Sequence, residues 1–209
     1  PPADWDAAKL QALKESKFVI TDAQARTKLA NGLLDCLASP DPKLRDGIAF
    51  EAWSTWLRAD QLDEATRRAA LERLQSQLSA DDPAGFERPF SALVLSEVAR
   101  TDRIKPWLTP EEREALLLHA TLYVASVRDY RGFVQGEGWR HGVAHGADLL
   151  MQLAMNPAYD KPRFDRILDA VAAQVAPEGQ AYVFGEPERL ARPVLFIAVR
   201  GLYSEAEWS

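Results

Sequence analysis

The sequence predicts an all-α fold in which antiparallel helical pairs stack side by side in a single domain. Three observations predict it. Apolar residues recur at helical spacing between breaks rich in Pro and Gly. Strand signals are scarce, with no Asn-Gly hairpin turn and only 181–184 hinting at alternation. Helix starts also return at a spacing of roughly 40–50 residues, a period at which two-helix units stack.

Eight or nine helices follow in order. The first is expected over about 5–15. The second opens at Thr21, with Gln24 at the spacing of a capping box, and runs to about 38, where Ser39-Pro40-Asp41-Pro42 breaks it. Asp41 as N-cap and Pro42 in the first turn start a third helix over about 42–58. Its apolar face is Leu44, Ile48, Ala52, Trp53 and Trp56. The fourth covers about 63–79, with Leu71, Leu74 and Leu78 on one stripe. After a loop at 81–85, the fifth covers about 88–100, with Pro89 in its first turn.

Thr109-Pro110-Glu111-Glu112 combines an N-cap, a proline at the first position and acids beside the positive helix end. The sixth helix runs from there to about 128. Leu116, Leu117, Leu118, Leu122, Tyr123, Val124 and Val127 make it apolar nearly all round, which predicts a central, buried helix. The segment 129–138, with Gly132, Gly136 and Gly138, reads as a loop. A seventh helix is expected over about 139–155, stopped by Asn156-Pro157, and an eighth over about 161–175, before Pro177-Glu178-Gly179. The last covers about 187–203.

Helix starts at 41–46, 86–90, 138–141 and 186–189 share spacing and order more than identities. Two helices per 40–50 residues is the signature of HEAT-type α-solenoids, in which each pair leaves one face for its neighbour to cover. The pairs are expected at about 1–40, 41–85, 86–137 and 138–209.

Composition narrows the function classes. Hydrophobic residues make up 47% and charged residues 27% of the 209, ordinary values for a folded chain. The net charge of -6, with no basic cluster, argues against nucleic acid and an anionic membrane surface, and favours basic or neutral partners. No segment approaches the ~18 apolar residues of a membrane span. The densest run, 115–127, is broken by His119 and Thr121, and His119 reads as a satisfied core histidine. Cys36 has no cysteine to pair with, and its apolar surroundings at 33–37 make it a small buried hydrophobe rather than a reactive thiol. The chain begins Pro1-Pro2 without Met. A removed secretory leader would place it in the periplasm, so periplasm and cytoplasm are both carried.

Five stretches carry a resemblance. They are 46–56 (Asp-Gly-Ile-Ala-Phe-Glu-Ala-Trp-Ser-Thr-Trp), 88–95 (Arg-Pro-Phe-Ser-Ala-Leu-Val-Leu), 129–134 (Asp-Tyr-Arg-Gly-Phe-Val), 138–150 (Gly-Trp-Arg-His-Gly-Val-Ala-His-Gly-Ala-Asp-Leu-Leu) and 188–192 (Glu-Arg-Leu-Ala-Arg). In these the chain resembles a bacterial family described as domain of unknown function 2785, with the central Gly-Trp-x-His-x-x-x-His-Gly-Ala-Asp stretch the most specific. The resemblance implies an all-helical, HEAT-like fold and implies no activity.

One constellation has possible chemistry. His141, His145 and Asp148 stand at i, i+4 and i+7 of the seventh helix, with Gln152 at i+11. These four fall within roughly 60° of one another around the axis. Two imidazoles and a carboxylate in that pattern can bind zinc or another divalent metal, although no cofactor is required. They can equally form an acid/base pair with Asp148 orienting a histidine. The plain alternative is a solvated face, because Val143, Ala147, Leu150 and Ala154 form an apolar row on the opposite side. Gly142 and Gly146 beside the polar row would admit a neighbouring backbone. Asp129, Tyr130, Arg131, Glu137, Trp139 and Arg140 crowd the glycine-rich loop before it, a common place for binding residues. Arg189 and Arg192 pair with acids or bind an anion.

No phosphate loop, Gly-x-Ser-x-Gly or His-Glu-x-x-His motif is present. The first expectation is therefore a non-catalytic binding or scaffold module whose concave helical groove takes a protein, a peptide or a small ligand. In that reading the ligand contacts are Asp129, Arg131, Glu137, Trp139, Arg140 and Gln152. The alternative is a small hydrolase or metal-dependent enzyme centred on His141, His145 and Asp148. Tryptophans lining a carbohydrate groove are a third and weaker idea, since closed helical toroids need more pairs than 209 residues supply.

Overall fold

Helix starts follow their caps. Asp6 accepts from the Lys9 amide at 2.8 Å and begins α1 (Ala7–Glu15), and Asp22 accepts from Gln24 and Ala25 and begins α2 (Ala23–Leu34). Asp41 begins α3 (Pro42–Leu44), and Asp63 begins α5 (Glu64–Gln77). At the start of α7 (Pro110–Ser126) the capping box is complete: Thr109 Oγ1 accepts from the Glu112 amide at 3.2 Å, and Glu112 Oε2 accepts from the Thr109 amide at 2.7 Å. In the computed structural model, which describes residues 1–208, the remaining α-helices and strands are α4 (Glu51–Arg58), α6 (Glu87–Ile104), the strands β1 (Phe133–Val134) and β2 (Gly138–Trp139), α8 (Gly142–Ala154), α9 (Lys161–Ala172) and α10 (Glu186–Ala198).

The all-α class holds, and the helices pack in two rows. One row runs α4, α6, α8, α10, and the other runs α2, α5, α7, α9; α5 touches α6, α7 touches α8, and α9 touches both α8 and α10. One continuous apolar cluster fills the space between them. Trp53 and Trp56 are fully buried in it, and each satisfies its indole N–H: Trp53 donates to Ala30 O at 2.9 Å, Trp56 to Phe18 O at 2.8 Å. Cys36 is buried as expected, and burial raises its thiol pKa.

Several expectations are corrected. The second helix is capped by Asp22 rather than Thr21, so there is no capping box at Gln24. The third expected helix is one rod with a π-helical segment, Arg45–Phe50, between α3 and α4. There the wholly buried Arg45 lies over the rings of Phe86 and Phe90 and donates to the carbonyls of Ser39 and Glu137. The expected loop at 129–138 contains a hairpin, in which Phe133 pairs with Trp139 and Val134 with Gly138. Its turn is made by Gly136 at φ +86, with Gly138 at φ +78: a glycine-containing three-residue loop rather than an Asn-Gly turn. The 181–184 segment is not a strand.

The largest correction concerns which helix is central. On α7, Leu118 and Leu122 are exposed, the latter to 59%. On α8, every residue from 142 to 150 is buried. The helix that looked two-faced is the enclosed one, held between α6 and α10 along its own row and against α7 and α9.

Candidate functional site

A polar row on a helix buried all round must find partners within the protein. This excludes the plain solvated face for His141, His145 and Asp148, all of which are buried. The three do not converge.

His141 is not inside α8 but is its N-cap, in the left-handed region at φ 57. The hairpin strand β2 ends beside it, and its ring stacks on Trp139 at 4.7 Å. Its Nε2 lies 3.5 Å from Glu186 Oε1, and the other oxygen of Glu186 accepts from the Phe184 amide at 2.9 Å. Burial lowers the His141 pKa, against the pull of Glu186.

His145, one turn further, turns its ring edge-on to Phe90 at 5.1 Å, with His141 at 5.6 Å. Burial, followed by the charges of His141 and Arg189, pushes its pKa down to about 3, while the Pro89 backbone opposes the shift weakly. His145 is therefore a neutral ring at any ordinary pH. It is a poor general base, since a base is most effective when its pKa is near the working pH.

Asp148 orients neither histidine. It accepts from Arg189 Nη1, and Arg192 Nη1 stands 3.6 Å from its second oxygen. Burial raises its pKa in spite of both arginines. With the carboxylate so occupied, the expected metal triad is not assembled. Among the described residues no group of three His, Cys, Asp or Glu side chains is placed to hold a metal ion.

His145, Asp148 and Gln152 do share a cavity. It measures about 360 Å³ and is lined also by Phe50, Arg58, Leu93, Ser96, Glu97, Met151, Arg189 and Arg192. Phe50 closes the π-helical segment, and every other lining residue lies on α4, α6, α8 or α10. All four helices of one row thus contribute to one polar recess. Two carboxylates line it, Glu97 and Asp148, whose side chains are 8% and 11% exposed. Arg58 grips Glu97 through Nε at 3.0 Å and through Nη2. Arg103 Nε donates to Gln152 Oε1 at 3.0 Å.

Of the loop residues expected to bind ligand, none reaches this cavity. Asp129 and Arg131 pair with each other. Arg140 lies over Phe86, donates to Ala84 O at 2.8 Å and pairs with Glu137. Trp139 is taken up by His141, Phe133 and Phe184. These contacts fasten the hairpin to the body of the protein. His119, expected in the core, is partly exposed on α7.

Sequence reasoning missed Glu97, Arg58 and Ser96. The available signal was Glu97 itself, the lone charge in the otherwise apolar or small run 89–99. A buried charge needs a partner, and a partner on another helix draws attention to the groove between them. Arg58, at the end of α4, carried no such signal.

The family model described as Protein of unknown function (DUF2785) matches residues 71–209, two thirds of the chain. No curated protein and no solved structure matches it. The matched region contains the α6, α8 and α10 lining of the cavity, while Phe50 and Arg58 precede it.

Proposed function

The chain belongs to this DUF2785 family, and on that premise we propose that it is a non-catalytic binding module, a short HEAT-like stack whose recess across α4, α6, α8 and α10 holds a small ligand. The family description assigns no activity, so the support is geometric. The observation that carries the reading is the cavity itself. Its volume, about 360 Å³, falls in the range of small-molecule sites, and it sets an apolar patch of Phe50, Leu93 and Met151 among mostly polar and charged side chains.

The hydrolase alternative finds less support. It needs a nucleophile or metal with an oriented base, and here the carboxylate is held by arginines while the histidine beside it stays neutral. A recess of about 360 Å³ has the size of a small-molecule site rather than of a protein-binding surface.

The test is a thermal-shift panel of small acids, amines and neutral compounds on the wild type and on Met151→Trp, which fills the recess from a partly exposed position. The reading expects at least one class to stabilise the wild type and not the variant. Equal stabilisation of both proteins, or none by any class, would contradict it.

A further inference from the structure

Donors outnumber acceptors in the hydrogen-bonding capacity left over in the recess. Arg58 spends Nε and Nη2 on Glu97. Arg189 spends only Nη1, on Asp148. Arg192 lies 3.6 Å from Asp148 and makes no hydrogen bond among the described residues. Gln152 uses its carbonyl oxygen for Arg103, which leaves its amide N–H groups. Ser96 spends its hydroxyl proton on Leu93 O at 2.7 Å. The acceptors left are Asp148 Oδ1, which receives no hydrogen bond, and the unpartnered His145 Nδ1, while the free donors lie on Arg58, Arg189, Arg192 and Gln152.

The charges lean the same way. Three guanidiniums face two carboxylates around the recess, which leaves one positive charge unmatched. This local sign is opposite to the net charge of -6. Guanidinium donors form a planar fork that fits a carboxylate or a phosphate. One unmatched positive charge suits a monoanion better than a phosphate dianion. Phe50, Leu93 and Met151 supply an apolar wall. The volume would hold roughly a dozen waters, or an organic acid with a similar number of heavy atoms.

We infer that the recess binds a small organic monocarboxylate, its anionic end on Arg192 and the free edge of Arg189 and its apolar body against Phe50, Leu93 and Met151. This rests on the cavity being the binding site, as proposed above. Arg192 is the decisive residue. Its side chain is 45% exposed, so it can turn to a ligand without uncovering the core. Asp148 keeps Arg189 when it does.

The experiment is calorimetric titration of hexanoate, hexanamide and hexyl phosphate into the wild type, Arg192→Gln and Met151→Trp, with circular dichroism to verify that each variant is folded. Hexanoate is expected to bind the wild type about tenfold or more tightly than hexanamide. Arg192→Gln should lose about that factor for hexanoate while leaving hexanamide unchanged. Equal binding of hexanoate and hexanamide, abolished by Met151→Trp, would overturn the anion inference and leave the cavity reading standing. Tighter binding of hexyl phosphate would overturn the carboxylate class. No binding by any of the three, or binding that Met151→Trp does not change, would overturn the inference and the cavity reading together.

Discussion

Arg189, on the last α-helix, donates to the carboxylate of Asp148, 41 residues earlier on the enclosed helix α8. That pair joins α10 to α8 at the edge of the recess and removes Asp148 from any acid/base role with the histidines. The pair is partly buried, so losing the acid leaves a guanidinium short of its partner. Asp148→Ala is expected to cost about 1–3 kcal/mol. Arg192→Gln, which loses only a long, half-exposed contact, should cost less than about 1 kcal/mol. Urea unfolding of the two variants checks this, and equal costs would show that the Asp148 carboxylate ties α10 down no more strongly than the long Arg192 contact does.

Acid stability follows from His145. Its pKa in the folded protein, about 3, lies below its ordinary 6.5. On acidification the unfolded chain therefore takes the proton first, so the stability contributed by the neutral ring is complete above pH 6.5 and declines as the pH falls toward 3. For one group the slope approaches about 1.4 kcal/mol per pH unit. Unfolding free energies of the wild type minus those of His145→Gln, measured from pH 7 to pH 4, should decrease along that slope. A flat difference would show that the ring is not held neutral.

Gly146 tests the packing of α8 on α7. A Cβ there would lie 2.6 Å from Val124 Cγ2 and 3.1 Å from Tyr123 Cε1. Alanine favours a helix over glycine by about 1 kcal/mol, yet the overlap should reverse the sign and give a net loss of about 1–3 kcal/mol. At Gly142 the nearest atom is Tyr123 Oη at 3.2 Å, which a small shift relieves, so Gly142→Ala should be the milder change. Thermal unfolding of both variants checks the order.

The sequence was most legible where the determinants are local. Thr109 and Glu112 specified their helix start, and Asp41 with Pro42 specified another, because a cap and its helix lie within a few residues of each other. The repeat spacing and the scarcity of strand signals carried the all-α class. Long-range relationships were not legible. The burial of α8 depends on α6 and α10, which cover both of its sides, and helical periodicity alone assigned its polar row to solvent as readily as to a site. The hairpin turn Gln135-Gly136-Glu137 is fastened by Arg45, which lies nearly a hundred residues earlier and donates to the Glu137 carbonyl. About half of the candidate site was visible, as His145, Asp148, Gln152, Arg189 and Arg192. Arg58 and Glu97 were not, since the contact between them spans 39 residues.

Hexanoate is expected in the recess across α4, α6, α8 and α10. Amide chemical-shift mapping of the wild type during hexanoate titration tests this most directly. Changes are expected to concentrate at Ser96, Glu97, His145, Asp148, Gln152, Arg189 and Arg192. Changes concentrated instead in the apolar groove formed by Val171, Val175, Leu190, Val194 and Leu195, with the recess silent, would contradict it.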